Sequence, residues 1–297
     1  MALAADFQHL LSSWFNPGFL ELQRVDWNSP AQLLEQLIRH EAVHQIDGWD
    51  NLRRRLQPDR RCFAFVHPQL PGEPLIFVEV ALLPEMPAAI APLIDKAAAP
   101  LAPKQFKVAA FYSISNCQPG LRGVSMGNFL IKRVAEELQR ELPQLRTFCT
   151  LSPIPGFAAW LRGGAPGVQT GTPRAARLAQ ALAALRERFG GELAAAPSAD
   201  ALRRLDTAGT QALLRLGAAW LGECSTRDDG DPVARFHLDN GARLERLNAL
   251  GDLSAKGVKQ SFGLMVNYLY DLDRVEEHHE AFVGGRVAQA RAVAALA

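Results

Sequence analysis

Residues 106–141 read FKVAAFYSISNCQPGLRGVSMGNFLIKRVAEELQRE, and this stretch decides the fold. Phe106 to Ile114 is apolar, aromatic and β-branched, so it predicts a strand. A Gly-punctuated turn follows at 119–123. From about 126 to 141, Phe129, Leu130, Val134 and Leu138 recur at helical spacing. Strand, turn and helix in this order are the building step of an α/β domain.

Outward from this core the pattern repeats. Leu145 to Leu151 (LRTFCTL) predicts a fourth strand. Upstream, Cys62 to Val66 (CFAFV) and Leu75 to Leu83 (LIFVEVALL) predict a hairpin closed by a Pro-Gly turn. Gly263 to Tyr270 (GLMVNYLY) predicts a strand, and about 275–295 a closing helix. Ser29-Pro30 opens a helix running to about His40, with Ser29 as its cap and Pro30 at the first helical position. Residues 4–24 predict short helices broken at Asn16-Pro17-Gly18, Trp49 to Leu56 one or two helical turns, and 88–93 a short helix. Residues 163–173 are rich in Gly, Pro and Thr; 174–217 are Ala/Leu/Arg helices. The expected class is α/β, with a mixed sheet flanked by helices.

Composition narrows the function classes. The chain has 297 residues, 48% of them hydrophobic, and Lys plus Arg (32) nearly balance Asp plus Glu (31). Apolar content this high excludes a disordered tail protein. A net charge of +1 argues against a polyanion binder that works through a broad basic field. No uncharged apolar run reaches the roughly 18 residues of a membrane span. Cys62, Cys117, Cys149 and Cys224 are scattered without a C-x-x-C pair, which predicts free thiols rather than a disulfide framework or a zinc site. MALAADFQHLLSSWF lacks the basic and apolar regions of a secretory signal, and AVAALA carries no peroxisomal or prenylation address, so the expected location is cytoplasmic.

Four places carry chemistry. His40-Glu41-Ala42-Val43-His44 matches the zincin pattern, in which two His on one helical face bind zinc. No third ligand follows at a usual spacing; the His-rich spot Glu277-His278-His279-Glu280 lies far off on an expected surface helix. The preferred reading is a solvated helix end, with no metal. Arg122-Gly123-Val124-Ser125-Met126-Gly127, between strand and helix, leaves backbone N–H groups unpaired at a helix N-terminus, an anion site suited to a pyrophosphate. In Thr150-Leu151-Ser152-Pro153-Ile154-Pro155-Gly156-Phe157, Ser152 ends a strand where two prolines stiffen the turn. It is either a rigid catalytic or orienting hydroxyl or the cap of the next helix. In Arg235-Phe236-His237-Leu238, a lone His in an apolar setting is more often structural, and gains weight only with Ser152 beside it.

Several long motifs in order change these odds. FYSISNCQPGLRGVSMGNFLIKRV, TLSPIPGF, DPVARFHLDNGA and GLMVNYLY resemble the malonyl-CoA decarboxylase family. WFNPGFLELQRVDW, DRRCFAFVHP and GEPLIFVEVAL look like the same family. The resemblance covers nearly the whole chain and is weakest across 163–215. It implies a GNAT-like catalytic domain over 56–297, with residues 1–55 as the remnant of an N-terminal helical domain or linker used in assembly. It places a catalytic pair on Ser152 and His237 and a supporting Tyr on Tyr270. It places the acyl-CoA turn on Arg122, Gly123, Val124, Ser125, Met126, Gly127 and Asn128. That turn is similar to the R/Q-x-x-G-x-G/A turn of GNAT acetyltransferases, with Ser125 in place of the first glycine.

The implied reaction is that of a carboxy-lyase of fatty acid metabolism: malonyl-CoA loses CO2 through a thioester enolate and becomes acetyl-CoA. The thioester carbonyl is the electron sink, so no cofactor is expected beyond the CoA of the substrate. Ser152 orients by hydrogen bonding and His237 donates the proton. The acyl end is expected between the 106–114 and 145–151 strands. The expected partners are malonyl-CoA and acetyl-CoA and further copies of the chain in a homo-oligomer, with no nucleic acid and no membrane. The main alternative is a GNAT-type acyl-CoA-dependent N-acetyltransferase, followed by a non-catalytic acyl-CoA-binding module and a zinc hydrolase.

Overall fold

A computed structural model describes residues 2–121, 130–166, 171–191, 193 and 197–296. The chain divides into two compact units, Met1–Met86 with Pro92–Phe148 and Pro87–Ala91 with Cys149–Ala297.

In the first unit, β1 (Glu21–Val25), β2 (Arg60–Val66), β3 (Pro74–Leu83) and β4 (Val108–Asn116) lie side by side. All three pairings are antiparallel, with Glu21 opposite Val66, Phe63 opposite Val78 and Phe77 opposite Ser115. The expected hairpin is β2–β3. β3 is buried along nearly its whole length, which is why its sequence is apolar without alternation except at Glu79. β1 is a strand where short helices were expected. Its polar residues mostly face solvent and only Val25 is fully buried, so it carries little apolar signal.

The helix Ala31–His40 buries Leu33, Leu34 and Leu37 in a cluster with Val25, Leu52, Ala64 and Phe77. Ser29 does not cap it. Its Oγ instead accepts from the Asp26 amide at 3.0 Å, and Pro30 stands at the cap position. The helix Leu130–Glu141 turns Leu130, Ile131, Val134, Ala135 and Leu138 inward, as its spacing predicts.

Several buried charges in this unit are paired. Arg55 donates to Asn51 Oδ1 at 3.0 Å, Glu79 Oε2 at 2.5 Å and the His44 carbonyl at 2.7 Å. Asp59 accepts from Arg54 and Arg60 at 2.8 and 2.9 Å. Burial alone would raise the Asp59 carboxyl, but the two guanidinium groups hold it below the usual carboxylate range.

In the second unit, β8 (Met265–Tyr270) pairs antiparallel with β6 (Ser152–Pro153) and β7 (Arg243–Asn248), and lies beside β5 (Thr147–Thr150). β7 is not among the strands the sequence predicts. A register shift between Leu244 and Arg246 breaks the period of two, so RLERLN shows no alternation. The Thr207–Ala219 helix packs hard on this region: a Cβ on Gly217 would stand 2.7 Å from Leu247 Cδ2 and 2.9 Å from Leu264 Cδ1.

Side chains start most helices here. Thr172, Ser198, Asp206, Asp231 and Ser254 each accept amide protons of a first turn. The expected closing helix is two helices, Val275–Val283 and Arg291–Ala294. The break falls at Gly284-Gly285, where Gly285 has φ 79°. The α/β class, with mixed strand pairing flanked by helices, is as expected.

Candidate active site

The chemistry-bearing residues of the second unit converge on the β6–β8 pair. Ser152 opens β6, directly opposite Val266 of β8. The next helix, Phe157–Arg162, starts at Gly156 without a side-chain cap, so Ser152 is not a capping serine. It is inward-facing, 5% exposed.

His237 rides on the helix Pro232–Asp239, near its C-terminal end. Pro232 at the first helical position and Asp231 as cap fix where this helix begins. Asp231 Oδ1 accepts from the Val233 and Ala234 amides at 3.0 and 3.1 Å. At the other end, the His279 ring lies 2.5 Å from the Asp239 carbonyl and the His278 ring 3.2 Å from that of Gly241. These two histidines, expected on a surface helix, thus bind the end of the His237 helix, and His278 is buried.

Three side chains form a continuous hydrogen-bonded row. Ser152 Oγ and His237 Nε2 are 3.1 Å apart, and His237 Nδ1 and Tyr270 OH are 2.8 Å apart. The ring also stacks on Tyr268, with centroids 4.7 Å apart and planes 29° apart. Ser152 donates onward to Thr150 Oγ1 at 2.8 Å, and the Tyr268 amide donates to the same oxygen at 3.2 Å. Every hydrogen-bond position of the imidazole is therefore occupied.

Burial decides the charge state. His237 is 4% exposed, with no carboxylate among the described residues in contact to offset desolvation, and its pKa is pushed down to about 3. Near neutrality the ring is uncharged. Burial pushes the Tyr268 and Tyr270 hydroxyls well above the usual phenol range, so both keep their protons. The Tyr–His–Ser row thus holds no buried charge at rest.

Around this row stands a polar frame that the sequence reading did not single out. Asn267 donates to the Thr150 carbonyl at 2.7 Å and the Pro87 carbonyl at 3.0 Å. Its oxygen accepts from Asn248 at 2.8 Å and Arg246 at 3.1 Å. Asp231 also reaches across to the Ser152 segment, accepting the Gly156 amide at 3.0 Å. Asn267, Asp231 and Thr150 lie inside the quoted motifs. Their partners are distant in sequence, so only the fold reveals them.

The acyl-CoA turn, Arg122, Gly123, Val124, Ser125, Met126, Gly127 and Asn128, lies outside the described residues. At HEAVH the helix ends at His40, so His40 and His44 do not share a helical face. The Glu41 carboxylate is spent on the Val43 and His44 amides and the Ser113 and Ser115 hydroxyls. Among the described residues no group of three or more His, Cys, Asp or Glu side chains is placed to hold a metal ion.

The fold and the site together define an α/β protein with a buried, uncharged serine–histidine–tyrosine hydrogen-bonded row. Residues 18–297 match the family description "Malonyl-CoA decarboxylase C-terminal domain". The chain belongs to the malonyl-CoA decarboxylase family. Its structure is similar to the crystal structure of malonyl-CoA decarboxylase from Rhodopseudomonas palustris, with 51% identity and a TM-score of 0.83, covering 98% of this chain and 70% of that one. The enzyme from Cupriavidus metallidurans gives 47% identity and a TM-score of 0.81, over 99% and 71% of the two chains. In sequence, the chain is 39% identical over 292 residues to the mitochondrial malonyl-CoA decarboxylase of Anser anser anser. That match takes in 93% of this chain and spans 57% of the relative's length.

Proposed function

We propose that this chain decarboxylates malonyl-CoA to acetyl-CoA and CO2, with Ser152, His237 and Tyr270 as its acid–base machinery. The observation that carries the reading is the 3.1 Å contact between Ser152 Oγ and His237 Nε2 in a member of this family.

The chemistry asks for little beyond placement. The bond between Cα and the carboxylate breaks, and its electron pair flows onto the thioester oxygen to give an enolate. Hydrogen-bond donors already in place at that oxygen are worth about 3 kcal/mol each in such reactions. The enolate carbon then takes a proton and the carbonyl re-forms. Because the thioester itself holds the electron pair, the reaction needs no cofactor beyond the substrate's own CoA.

His237 is assigned proton donation and Ser152 the hydrogen-bonding and orienting role. A neutral imidazole gives up its N–H only if its other nitrogen is refilled. Tyr270, 2.8 Å away, is placed to supply that proton, and must itself be reprotonated before the next turnover. The net proton consumed in making acetyl-CoA and CO2 thus enters from water. Arg122 to Asn128 are assigned to the CoA pyrophosphate, which backbone N–H groups at a helix start suit.

The test is to supply malonyl-CoA with no acceptor and measure CO2. Release of CO2 with matching acetyl-CoA is expected; an N-acetyltransferase would release none. Ser152→Ala and His237→Ala are each expected to lower kcat by about 10²- to 10⁴-fold, the usual range for a positioned acid or base. Near wild-type turnover in either variant would reject the assignment.

A further inference from the structure

We infer that Thr150 sets the direction in which protons run along the row: it holds the Ser152 hydroxyl proton and so fixes the Nε2–H tautomer of His237. The inference deepens the proposed decarboxylase reading and makes Thr150 a positioning residue that acts through Ser152.

The argument is a count of protons. A serine hydroxyl has one proton to donate. Ser152 Oγ gives it to Thr150 Oγ1 at 2.8 Å. The 3.1 Å contact between Ser152 Oγ and His237 Nε2 therefore needs its proton from the other side, on Nε2. A neutral ring carries one proton in all, so Nδ1 is bare and accepts from Tyr270 at 2.8 Å. Tyr270 donates to His237, His237 to Ser152 and Ser152 to Thr150.

Thr150 is itself held in place. Its Oγ1 also accepts the Tyr268 amide at 3.2 Å, and its carbonyl accepts Asn267 at 2.7 Å. Both donors come from β8, the strand that also carries Tyr270. All protons in the row point away from Tyr270, the order required to pass one outward through Ser152. When substrate arrives, Ser152 need only swing its hydroxyl from Thr150 to the enolate.

Without the Thr150 hydroxyl the cheapest rearrangement is reversal. Ser152 would donate to Nε2, the ring proton would move to Nδ1, and Nδ1–H would donate to the Tyr270 oxygen. Each neighbouring contact survives, but the row then points the wrong way for delivery.

Nitrogen-15 NMR on protein labelled at histidine reads the tautomer directly, because protonated and bare ring nitrogens resonate far apart. Of the seven histidines, His237 is assigned by its loss in His237→Gln. The expected wild-type state is Nε2–H, and in Thr150→Val it is Nδ1–H. Thr150→Ser, which keeps the hydroxyl, restores Nε2–H. With malonyl-CoA, Thr150→Val is expected to lower kcat about tenfold to a hundredfold with KM within about twofold, and Thr150→Ser to recover most of it. A wild-type Nδ1–H tautomer overturns the inference whatever the variants do. So does an unchanged tautomer in Thr150→Val, or in Thr150→Ala should the valine variant fail to fold. If the wild-type protein releases no CO2, the decarboxylase reading falls, while the tautomer result still decides the role of Thr150.

Discussion

Asp231 and Gly156 are 75 residues apart in sequence, and the carboxylate of one accepts the amide proton of the other at 3.0 Å. The same carboxylate caps the helix that carries His237, and Gly156 closes the turn that follows Ser152. One buried side chain thus ties together the two segments whose alignment sets the Ser152–His237 contact. Burial raises the Asp231 carboxyl, and the three amide donors pull against that rise.

Asp231→Ala is expected to cost about 1–3 kcal/mol of stability, since it removes a cap and strands a partly buried N–H. Asp231→Asn separates the two jobs, because it keeps one oxygen for the cap but loses the second acceptor for Gly156. Chemical denaturation should show the smaller loss for Asn, while CO2 release should fall in both variants.

Gly156→Ala tests how tightly the turn is set. Its Cβ would stand 2.9 Å from Trp220 Cζ2, and overpacking of this kind costs typically about 1–3 kcal/mol. Thermal unfolding should register the loss. Trp220→Phe in the same chain should return part of it, because the crowding atom belongs to the larger indole.

The depressed pKa of His237 makes a pH-dependent contribution to stability. An unfolded histidine titrates near 6.5, and this one, folded, near 3. Above pH 6.5 both states are neutral and nothing is lost. As pH falls below 6.5 the unfolded state takes up a proton that the folded state refuses. Stability then drops by up to about 1.4 kcal/mol per pH unit until the folded ring also protonates. Carboxylates such as Asp59 add a loss of the same sign, so the measurement is wild type minus His237→Phe across pH 4–7. The difference should slope below 6.5 and be flat above it.

The kinetics of CO2 release should lack a histidine inflection. A ring that is neutral at rest does not switch charge between pH 5.5 and 8, so kcat is expected to stay level there rather than fall with a midpoint near 6.5. A midpoint at 6.5 that disappears in Tyr270→Phe would show the ring to be charged in the working enzyme.

Arg55→Leu should strongly destabilise the first unit. It leaves the fully buried Glu79 carboxylate, the Asn51 oxygen and the His44 carbonyl without that donor. Breaking one side of a buried pair costs about 3–5 kcal/mol. Denaturant unfolding should find the midpoint well below wild type.

The sequence made some of this legible because local pattern and fold agree. Leu75 to Leu83 could be read as a strand because all its residues but Glu79 are apolar, and 130–141 as a helix because its apolar face repeats. β1 and β7 were hidden by the opposite circumstance. One is mostly polar and short, and the other carries a bulge that destroys alternation. For the site, the motifs pointed to Ser152, His237 and Tyr270, and the fold brings all three into one hydrogen-bonded row. Thr150, Asp231 and Asn267 stood in the same motifs but could not be read. A Thr in a strand, an Asp before Pro and an Asn between Val266 and Tyr268 are each ordinary, and their meaning lies in partners up to 180 residues away.

The Thr150–Ser152 bond has a consequence for the fate of the product. A serine beside a histidine is usually a nucleophile in waiting, because the ring draws off its proton. In the proposed tautomer the ring faces Ser152 with its N–H while the serine hydroxyl donates to Thr150, so the ring does not draw off the serine proton. Acetyl-CoA is as cleavable a thioester as malonyl-CoA. Under the proposed reaction, a pair wired in this sense would leave it whole, and the energy of that bond would depart with the product instead of being lost to hydrolysis.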